Sequence, residues 1–224
     1  MITLIRIKPQ DKRRRICDEI LAQKTELQES FAGMGRLLYL SKRAKHEDVS
    51  LIVHTVDPDA LGDFISEHLN KIEHINDIWV VNLIKPVFYP LPKDTKNMKR
   101  FTITLKVCTD KLKSIYQNIA AAALPDDLKM AYIAYTFHLF GDSIQFSILA
   151  AREETVNAHL NEVVNRLPGV LKTTVSLIER TRPLVSYDEW KEYSAAHGIV
   201  PSWDEELMIQ QFQVTEAPGT QPPE

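Results

Sequence analysis

A glycine–aspartate pair in the second half of the chain is the best local candidate for a binding site. Gly141 and Asp142 stand between two strand-like segments, and Ser143 follows them directly. A glycine turn leaves backbone N–H groups open to an anionic or zwitterionic ligand, and the aspartate can accept an ammonium group. An ordinary hairpin turn is the competing interpretation, because glycine and aspartate suit positive φ whatever their purpose.

Histidine is the second residue type that could do chemistry, and the chain has seven of them. None forms a His-x-x-x-His pair and no cysteine-rich spacing accompanies them, so no metal site is indicated. His138 lies in a predicted strand, where it could contact a ligand or a haem between two sheets. A hydrogen-bonded structural histidine is the other interpretation. We predict an effector-binding site at Gly141, Asp142, Ser143 and His138, with no catalytic residue and no metal.

Basic and glycine-rich patterns indicate neither nucleic-acid binding nor nucleotide chemistry. The run Lys12–Arg15 could neutralise phosphates, but it precedes apolar helical positions without any aromatic residue, so a solvated helix face is favoured. The 7 glycines form neither a G-x-G-x-x-G nor a Walker pattern. No nucleophile–base pair and no carboxylate dyad can be identified.

The composition is that of an ordinary globular protein. The chain has 224 residues, 44% hydrophobic and 25% charged, with a formal net charge of −3, so no overall positive field attracts nucleic acid or anionic membrane. Cys17 and Cys108 are too few and too far apart for a disulfide framework. The apolar start Met1–Lys8 is too short for a signal peptide or a membrane span. A cytoplasmic location, with no membrane partner, is therefore expected.

An internal repeat determines the predicted organisation. Two stretches of strand, helix and strand recur at an offset of 95 residues, and the apolar stripe of the helix is reproduced position by position. The matched apolar pairs are Leu61 and Val156, Ile65 and Leu160, Leu69 and Val164, and Ile72 and Leu167. The repeat therefore predicts two similar structural units.

Hydrophobic periodicity places the order β-α-β-β-α-β in each unit, which is the ferredoxin-like pattern. In the first unit we expect one helix over Asp11–Gln23, a second from Pro58 to about His74, and a last strand that ends before Pro86. We predict an α+β fold in which two ferredoxin-like domains pack sheet to sheet as a pseudo-dimeric α/β barrel. The predicted domains are residues 1–87 and 100–183, with a linker at 88–99, a helical extension at 184–213 and a disordered tail at 214–224.

Two capping boxes indicate short helices in the extension. Ser186 and Glu189 form one box, and Ser202 and Glu205 form the other; in each, the serine caps a backbone N–H and the glutamate reaches back. Helices are predicted over Tyr187–Ala196 and Trp203–Phe212.

The second unit resembles the effector-binding domain of Lrp/AsnC transcription regulators. The resemblance rests on a Gly-Asp turn after Tyr132–Phe140, on Phe146–Leu149, and on a Leu-Pro-Gly-Val break opening Leu167–Ile178. It covers residues 100–180 well and residues 1–85 more weakly. The family's helix-turn-helix is expected to be missing, because Met1 lies close to the first strand.

The resemblance implies a non-enzymatic sensor that binds an amino acid or a similar metabolite and contains no cofactor. It further implies self-association or co-assembly with Lrp/AsnC-type proteins, without direct binding of nucleic acid. Two alternatives stay open. Fused ferredoxin-like pairs also look like dimeric α/β-barrel enzymes that handle haem or tetrapyrroles, for which His138 would face the cavity. A pure interaction scaffold that docks through the Trp203 helix is the other.

Overall fold

The computed structural model describes residues 1–11, 15–44, 48–89, 97–137 and 142–196. None of the helices within these ranges is long and apolar enough to span a membrane.

The two halves of the chain have nearly the same order of strands and helices, with one additional helix after the first strand of the first half and one after the last strand of the second. The first half contains β1 (Ile2–Pro9), α1 (Ile16–Ala22), α2 (Lys24–Ser30), β2 (Gly35–Arg43), β3 (Val49–Thr55), α3 (Pro58–Glu67) and β4 (Ile75–Phe88). The second half contains β5 (Lys99–Val107), α4 (Leu112–Ala121), β6 (Leu128–Thr136), β7 (Ser143–Ala150), α5 (Glu153–Glu162), β8 (Val170–Pro183) and α6 (Tyr187–Ala196).

The eight strands close into one antiparallel barrel in the order β1-β3-β2-β8-β5-β7-β6-β4. Two seams join the halves: β2 pairs with β8, where Ser41 lies opposite Thr181, and β4 pairs with β6, where Ile84 lies opposite Tyr135. The predicted α+β, ferredoxin-like α/β-barrel fold is therefore confirmed. Its two sheets are hydrogen-bonded into a single closed surface, so each half depends on the other for its strand edges. The domain boundaries given above stay a prediction.

Side-chain alternation along the strands separates a helix-covered outer face from the barrel interior. On β5, Phe101, Ile103 and Leu105 are buried in a core that includes residues of α4 and α5. The intervening Thr102 and Thr104 face inward and line a cavity. An equivalent core lies between β1–β3 and the helices α1 to α3. A third cluster fills one end of the barrel interior, and it includes Leu4, Leu38, Ile52, Leu83 and Tyr132.

The prediction that Pro86 ends the fourth strand is wrong. β4 runs on to Phe88, with a register shift between Ile84 and Val87. Lys85 lies inside this irregularity with φ of 47°. A proline that lies in a bulge interrupts no regular ladder, so the strand continues and pairs with β6.

The predicted helices are shorter than expected. The structure divides the segment after β1 into α1 and a second helix, α2, where one helix over Asp11–Gln23 was predicted. The two long helices of the repeat end at Glu67 and Glu162, and each continues as a single 3₁₀ turn. Their last apolar residues, such as Leu69 and Val164, are still buried, which explains why the apolar periodicity overran the helix ends.

The turn before the last strand of each half has a left-handed residue. Gly169 has φ of +99° and His74 has φ of +67°. They lie 95 residues apart in the chain and each precedes a 14-residue strand, β8 or β4. The two halves thus make the same turn, with glycine in one and a strained histidine in the other.

The first predicted capping box of the extension is present. The amide of Ser186 donates to the Glu189 carboxylate at 2.6 Å, and the Glu189 amide donates to Ser186 Oγ at 3.2 Å. α6 follows over Tyr187–Ala196, as predicted. The second box and the Trp203 helix lie outside the described residues.

Candidate functional site

The barrel interior changes from apolar to polar along the strands. Inward-facing residues of β1 read Ile2, Leu4, Arg6, and their partners on β3 read His54, Ile52, Ser50. Leu4 and Ile52 are buried in the interior cluster, whereas Arg6 and Ser50 line a cavity. We call this cavity the polar chamber.

The polar chamber has a volume of about 40 Å³ and is lined from seven of the eight strands. That volume gives room for about three water molecules. Apart from Leu4, Ile52 and Ile178, its lining is polar. The charged and aromatic members are Arg6, Arg43, Arg100, Tyr39 and Tyr132; the hydroxyl and amide members are Ser41, Ser50, Thr102, Thr104, Gln145, Ser147, Ser176 and Thr181.

The three guanidinium groups make the chamber electropositive. Arg43 forms an ion pair with Asp48 through Nη2, and its Nη1 lies 3.5 Å from Ser176 Oγ. Burial lowers the pKa of Arg6, and the positive charge of Arg43 lowers it further, while Asp48 acts in the opposite direction. The Nε atoms of Arg6 and Arg43 are both buried and have no acceptor among the described residues. Such groups are rare in folded proteins and call for a functional explanation.

The two chamber tyrosines are held in the neutral phenol form. Burial raises the pKa of Tyr39, and burial together with Tyr39 raises the pKa of Tyr132. The positive charge of Arg100 acts in the opposite direction and lowers the pKa of both tyrosines. At neutral pH both residues are therefore O–H donors.

An exposed tryptophan stands beside Arg6. Trp79 on β4 lies directly opposite Arg6 in the β1–β4 register, so both side chains project from the same face of the sheet. Its side chain is 43% exposed, and Lys8 Nζ lies 5.0 Å from its ring centroid. This part of the barrel thus offers an aromatic surface next to the cationic lining.

The opposite end of the interior is closed by α6. Tyr193 is buried, its Oη lies 3.4 Å from Nδ1 of His54, and Arg36 lies 5.2 Å from its ring centroid. The α-amino group of Met1 approaches His54 Nε2 at 3.3 Å. His54 is therefore engaged on both ring nitrogens.

The predicted effector site lies only partly within the described residues. His138 and Gly141 fall outside them. Ser143 is buried, and its Oγ lies 2.7 Å from Thr136 Oγ1. The Asp142 carbonyl accepts from the Val107 amide at 3.2 Å, and its Oδ2 is buried with no partner among the described residues. Neither Asp142 nor Ser143 lines the polar chamber, and this site stays a prediction.

The chamber arginines were missed by sequence reasoning. The sequence feature that could have revealed them is a charged residue that alternates with apolar residues in a strand, as in Ile5-Arg6-Ile7 and in Arg100-Phe101. In sequence such a residue looks like a solvent-facing one, because the inner face of a closing barrel is indistinguishable from an exposed face. No group of three or more possible metal-ligating side chains occurs among the described residues.

Comparisons with solved structures reveal the same architecture in other proteins. A candidate monooxygenase from Lactobacillus acidophilus NCFM shares 14% identity at a TM-score of 0.51, over 79% of this chain and 92% of that one. An anthrone oxidase-like protein shares 8% identity at a TM-score of 0.53, over 82% and 93%. A mutant chlorite dismutase from Candidatus Nitrospira defluvii shares 14% identity at a TM-score of 0.50, over 86% and 94%.

No protein-family model matches the chain, and no curated protein matches it. The prediction of an effector-binding transcription regulator is wrong, because these three similar structures are named as a monooxygenase, an anthrone oxidase-like protein and a chlorite dismutase, and no Lrp/AsnC relationship is found. Because these sequence identities are low, the comparisons establish a similar fold and nothing further. The chain therefore has the α+β fold of the monooxygenase-like and chlorite dismutase-like α/β barrels.

Proposed function

We propose that this protein is an enzyme that oxidises a small organic substrate, of which the charged or enolised end enters the polar chamber and the rest lies outside it. The observation that carries the proposal is a polar, cationic chamber in one part of the barrel interior, next to a cluster of mainly apolar residues in the other part. Buried polar groups without partners cost stability, so a chamber of this kind is typical of a binding site. The similar folds named as a monooxygenase and an anthrone oxidase-like protein support an oxidative reaction.

The simplest reaction that uses this lining is oxidation of an activated methylene group by molecular oxygen. One CH₂ group and one O₂ give one carbonyl group and one water, so no further reductant is needed. Transfer of a proton from the CH₂ group to solvent water gives an enolate, and the guanidinium groups of Arg6 and Arg100 stabilise its negative charge. The neutral phenols of Tyr39 and Tyr132 can donate hydrogen bonds to the enolate oxygen.

Haem is the cofactor of the sequence-based alternative, and the similar folds fit that alternative better than a sensor without any cofactor. The lining of the polar chamber does not fit haem, however. A chamber of about 40 Å³ is far smaller than a porphyrin, and no described histidine lines it. His54 faces the interior but is engaged by Tyr193 and Met1. We derive no step through haem.

We also propose that the two halves arose by tandem duplication. The repeated element order, the two equivalent seams and the left-handed turns at His74 and Gly169 support this origin. If so, the two halves have diverged in their inner faces: the first contributes Arg6 and Arg43, and the second contributes Arg100.

Oxygen uptake tests the proposed function. With anthrone as the probe substrate, the wild-type chain should consume one O₂ for each anthraquinone formed. Thr104→Leu, which fills the chamber, should lower the rate at least tenfold, whereas Thr109→Leu, on the exposed surface, should leave it unchanged. Circular dichroism checks that both variants fold.

Two results would overturn the proposal. One is a wild-type chain that oxidises neither anthrone nor other enolisable aromatic ketones, and the other is an unchanged rate in Thr104→Leu. Stoichiometric uptake of haem, seen as a Soret band after reconstitution, would favour the haem alternative instead.

A further inference from the structure

The charge of the polar chamber is unbalanced. It is lined by three guanidinium groups, and Asp48 is the one carboxylate that ion-pairs with them among the described residues. Burial disfavours a charged group that has no counter-ion, and the lowered pKa of Arg6 reflects this cost. An anion bound in the chamber would supply the missing counter-ion and remove this cost.

The unpaired donors suit a planar oxyanion. A guanidinium group offers a rigid fork of N–H donors that matches the two oxygens of a carboxylate. Nε of Arg6 is one such donor, and no described residue accepts from it. Arg43 uses Nη2 for Asp48, which leaves its buried Nε to donate a single further hydrogen bond.

The size of the chamber limits what can enter it. Room for about three water molecules, from a volume of about 40 Å³, is the room that the three heavy atoms of a carboxylate need. A phosphate group has five heavy atoms and fits less well. The rest of an organic ligand must then lie outside the chamber.

The surface beside Arg6 is aromatic. Trp79 projects from the same sheet face as Arg6 and is 43% exposed. A flat apolar body can stack on an indole ring while a charged head reaches the guanidinium group. An exposed aromatic residue next to half-buried cations therefore fits an aromatic carboxylate better than a bare inorganic anion.

We infer that the polar chamber binds the carboxylate of an aromatic or similarly flat organic acid, with Arg6 as the principal ligand and Trp79 against the body of the molecule. This inference rests on the proposed function, in that it names the substrate class of the same chamber. It assigns Arg6, Arg43 and Arg100 to binding of the acid group and Trp79 to specificity.

Calorimetric titration of the full chain at constant ionic strength tests this inference. Benzoate is the probe, benzamide is its neutral isostere, and nitrate is the bare planar oxyanion. Benzoate should bind with one-to-one stoichiometry, and benzamide at least tenfold more weakly. Arg6→Met should weaken benzoate at least tenfold, and Arg6→Lys, which keeps the charge but loses the fork, by a smaller factor. Arg166→Met, at an exposed position, should have no effect.

A further variant separates the two halves of the site. Trp79→Phe should weaken benzoate two- to fivefold and leave nitrate unchanged. Equal affinity for benzoate and benzamide, or unchanged affinity in Arg6→Met, would overturn the inference. If nitrate binds as tightly as benzoate, the ligand need not be an organic acid, and the chamber is instead a site for an inorganic oxyanion.

These outcomes are distinct from failure of the proposed function. Benzoate binding in a chain that takes up no oxygen would overturn the enzymatic proposal alone. Oxygen uptake in a chain that binds no benzoate would overturn the carboxylate inference alone.

Discussion

The Nε atoms of Arg6 and Arg43 are buried in one cavity, and neither donates to an acceptor among the described residues. These two arginines lie on β1 and β2, the strands on either side of β3, and both line the same cavity. Folding therefore brings together groups that repel each other, and this costs free energy that a bound anion recovers.

Stability and binding are expected to respond in opposite directions at Arg6. Arg6→Met removes an unbalanced buried charge, so the free energy of unfolding should rise by about 1 kcal/mol while anion binding is lost. Arg43→Met is the contrasting variant, because it leaves Asp48 without its ion pair and should lower stability by about 2 kcal/mol. Urea unfolding at pH 7 measures both. If Arg6→Met proves less stable than Arg43→Met, the result would contradict an electropositive chamber.

Alkaline pH should destabilise the barrel through its buried tyrosines. The folded state raises the pKa of Tyr132 above the value of about 10 found in unfolded chains. The contribution of the neutral phenol is thus fully present below about pH 10 and is lost as the pH rises through the folded-state pKa. Above pH 10, the free energy of unfolding of Tyr132→Phe should fall less steeply with pH than that of wild type. Between pH 6 and 8, the two free energies should change in parallel. Identical alkaline slopes would show that Tyr132 is not buried as described.

The two left-handed turns should respond oppositely to substitution. In Gly169→Ala the new Cβ would lie 2.7 Å from Cβ of Lys111 at a φ of +99°, which should cost about 3 kcal/mol. His74→Gly relieves the strain of a φ of +67° and should gain about 0.5 kcal/mol. Gly62→Ala is the matched control, since its Cβ meets nothing within 4 Å, and helix propensity predicts a gain of about 1 kcal/mol. Thermal unfolding of the three variants is the measurement, and a tolerated Gly169→Ala would contradict the turn.

The capping box should hold α6 in place. Ser186→Ala removes the acceptor of the Glu189 amide and should lower stability by about 1 kcal/mol at pH 7. Backbone and side-chain hydrogen bonds to Ser186 lower the pKa of Glu189, so the contribution of Glu189 is present above about pH 4.3 and is lost as the pH falls. The stability difference between wild type and variant should therefore be smaller at pH 3. Ser114→Ala is the control, because Ser114 is exposed and donates to the Lys111 carbonyl outside any capping box; its stability should stay close to that of wild type. An equal loss of stability in this control would contradict a specific role of the capping box.

Much of the fold follows from local patterns. Period-2 alternation located the strands, and Pro58 correctly marked the start of α3. In the structure the Asp57 carboxylate caps this helix by accepting from the Asp59 amide at 2.9 Å. Barrel closure depends on pairs such as Ser41 and Thr181, which are far apart in the chain. Local periodicity carries no information on such pairs, so two packed sheets and one closed barrel look alike in sequence.

The chamber was beyond prediction for a related reason. An inward-facing arginine on a strand looks like a solvent-facing one until the barrel closes around it, and Arg6 and Arg100 are examples. The Gly-Asp motif was conspicuous because turn residues are easily recognised. The chamber residues lie in the middle of strands, where the residue types are ordinary and only their convergence in the folded barrel is informative.

The most direct test of the chamber as the substrate site is the ¹⁵N–¹H spectrum of arginine Nε groups in the full chain, recorded with and without benzoate. A buried Nε–H that gains a carboxylate acceptor should shift strongly and exchange more slowly with water. We predict that the signals of Arg6, Arg43 and Arg100 move with one common affinity while that of Arg166 stays in place. Unchanged signals for Arg6 and Arg43, at benzoate concentrations that saturate binding, would contradict the account.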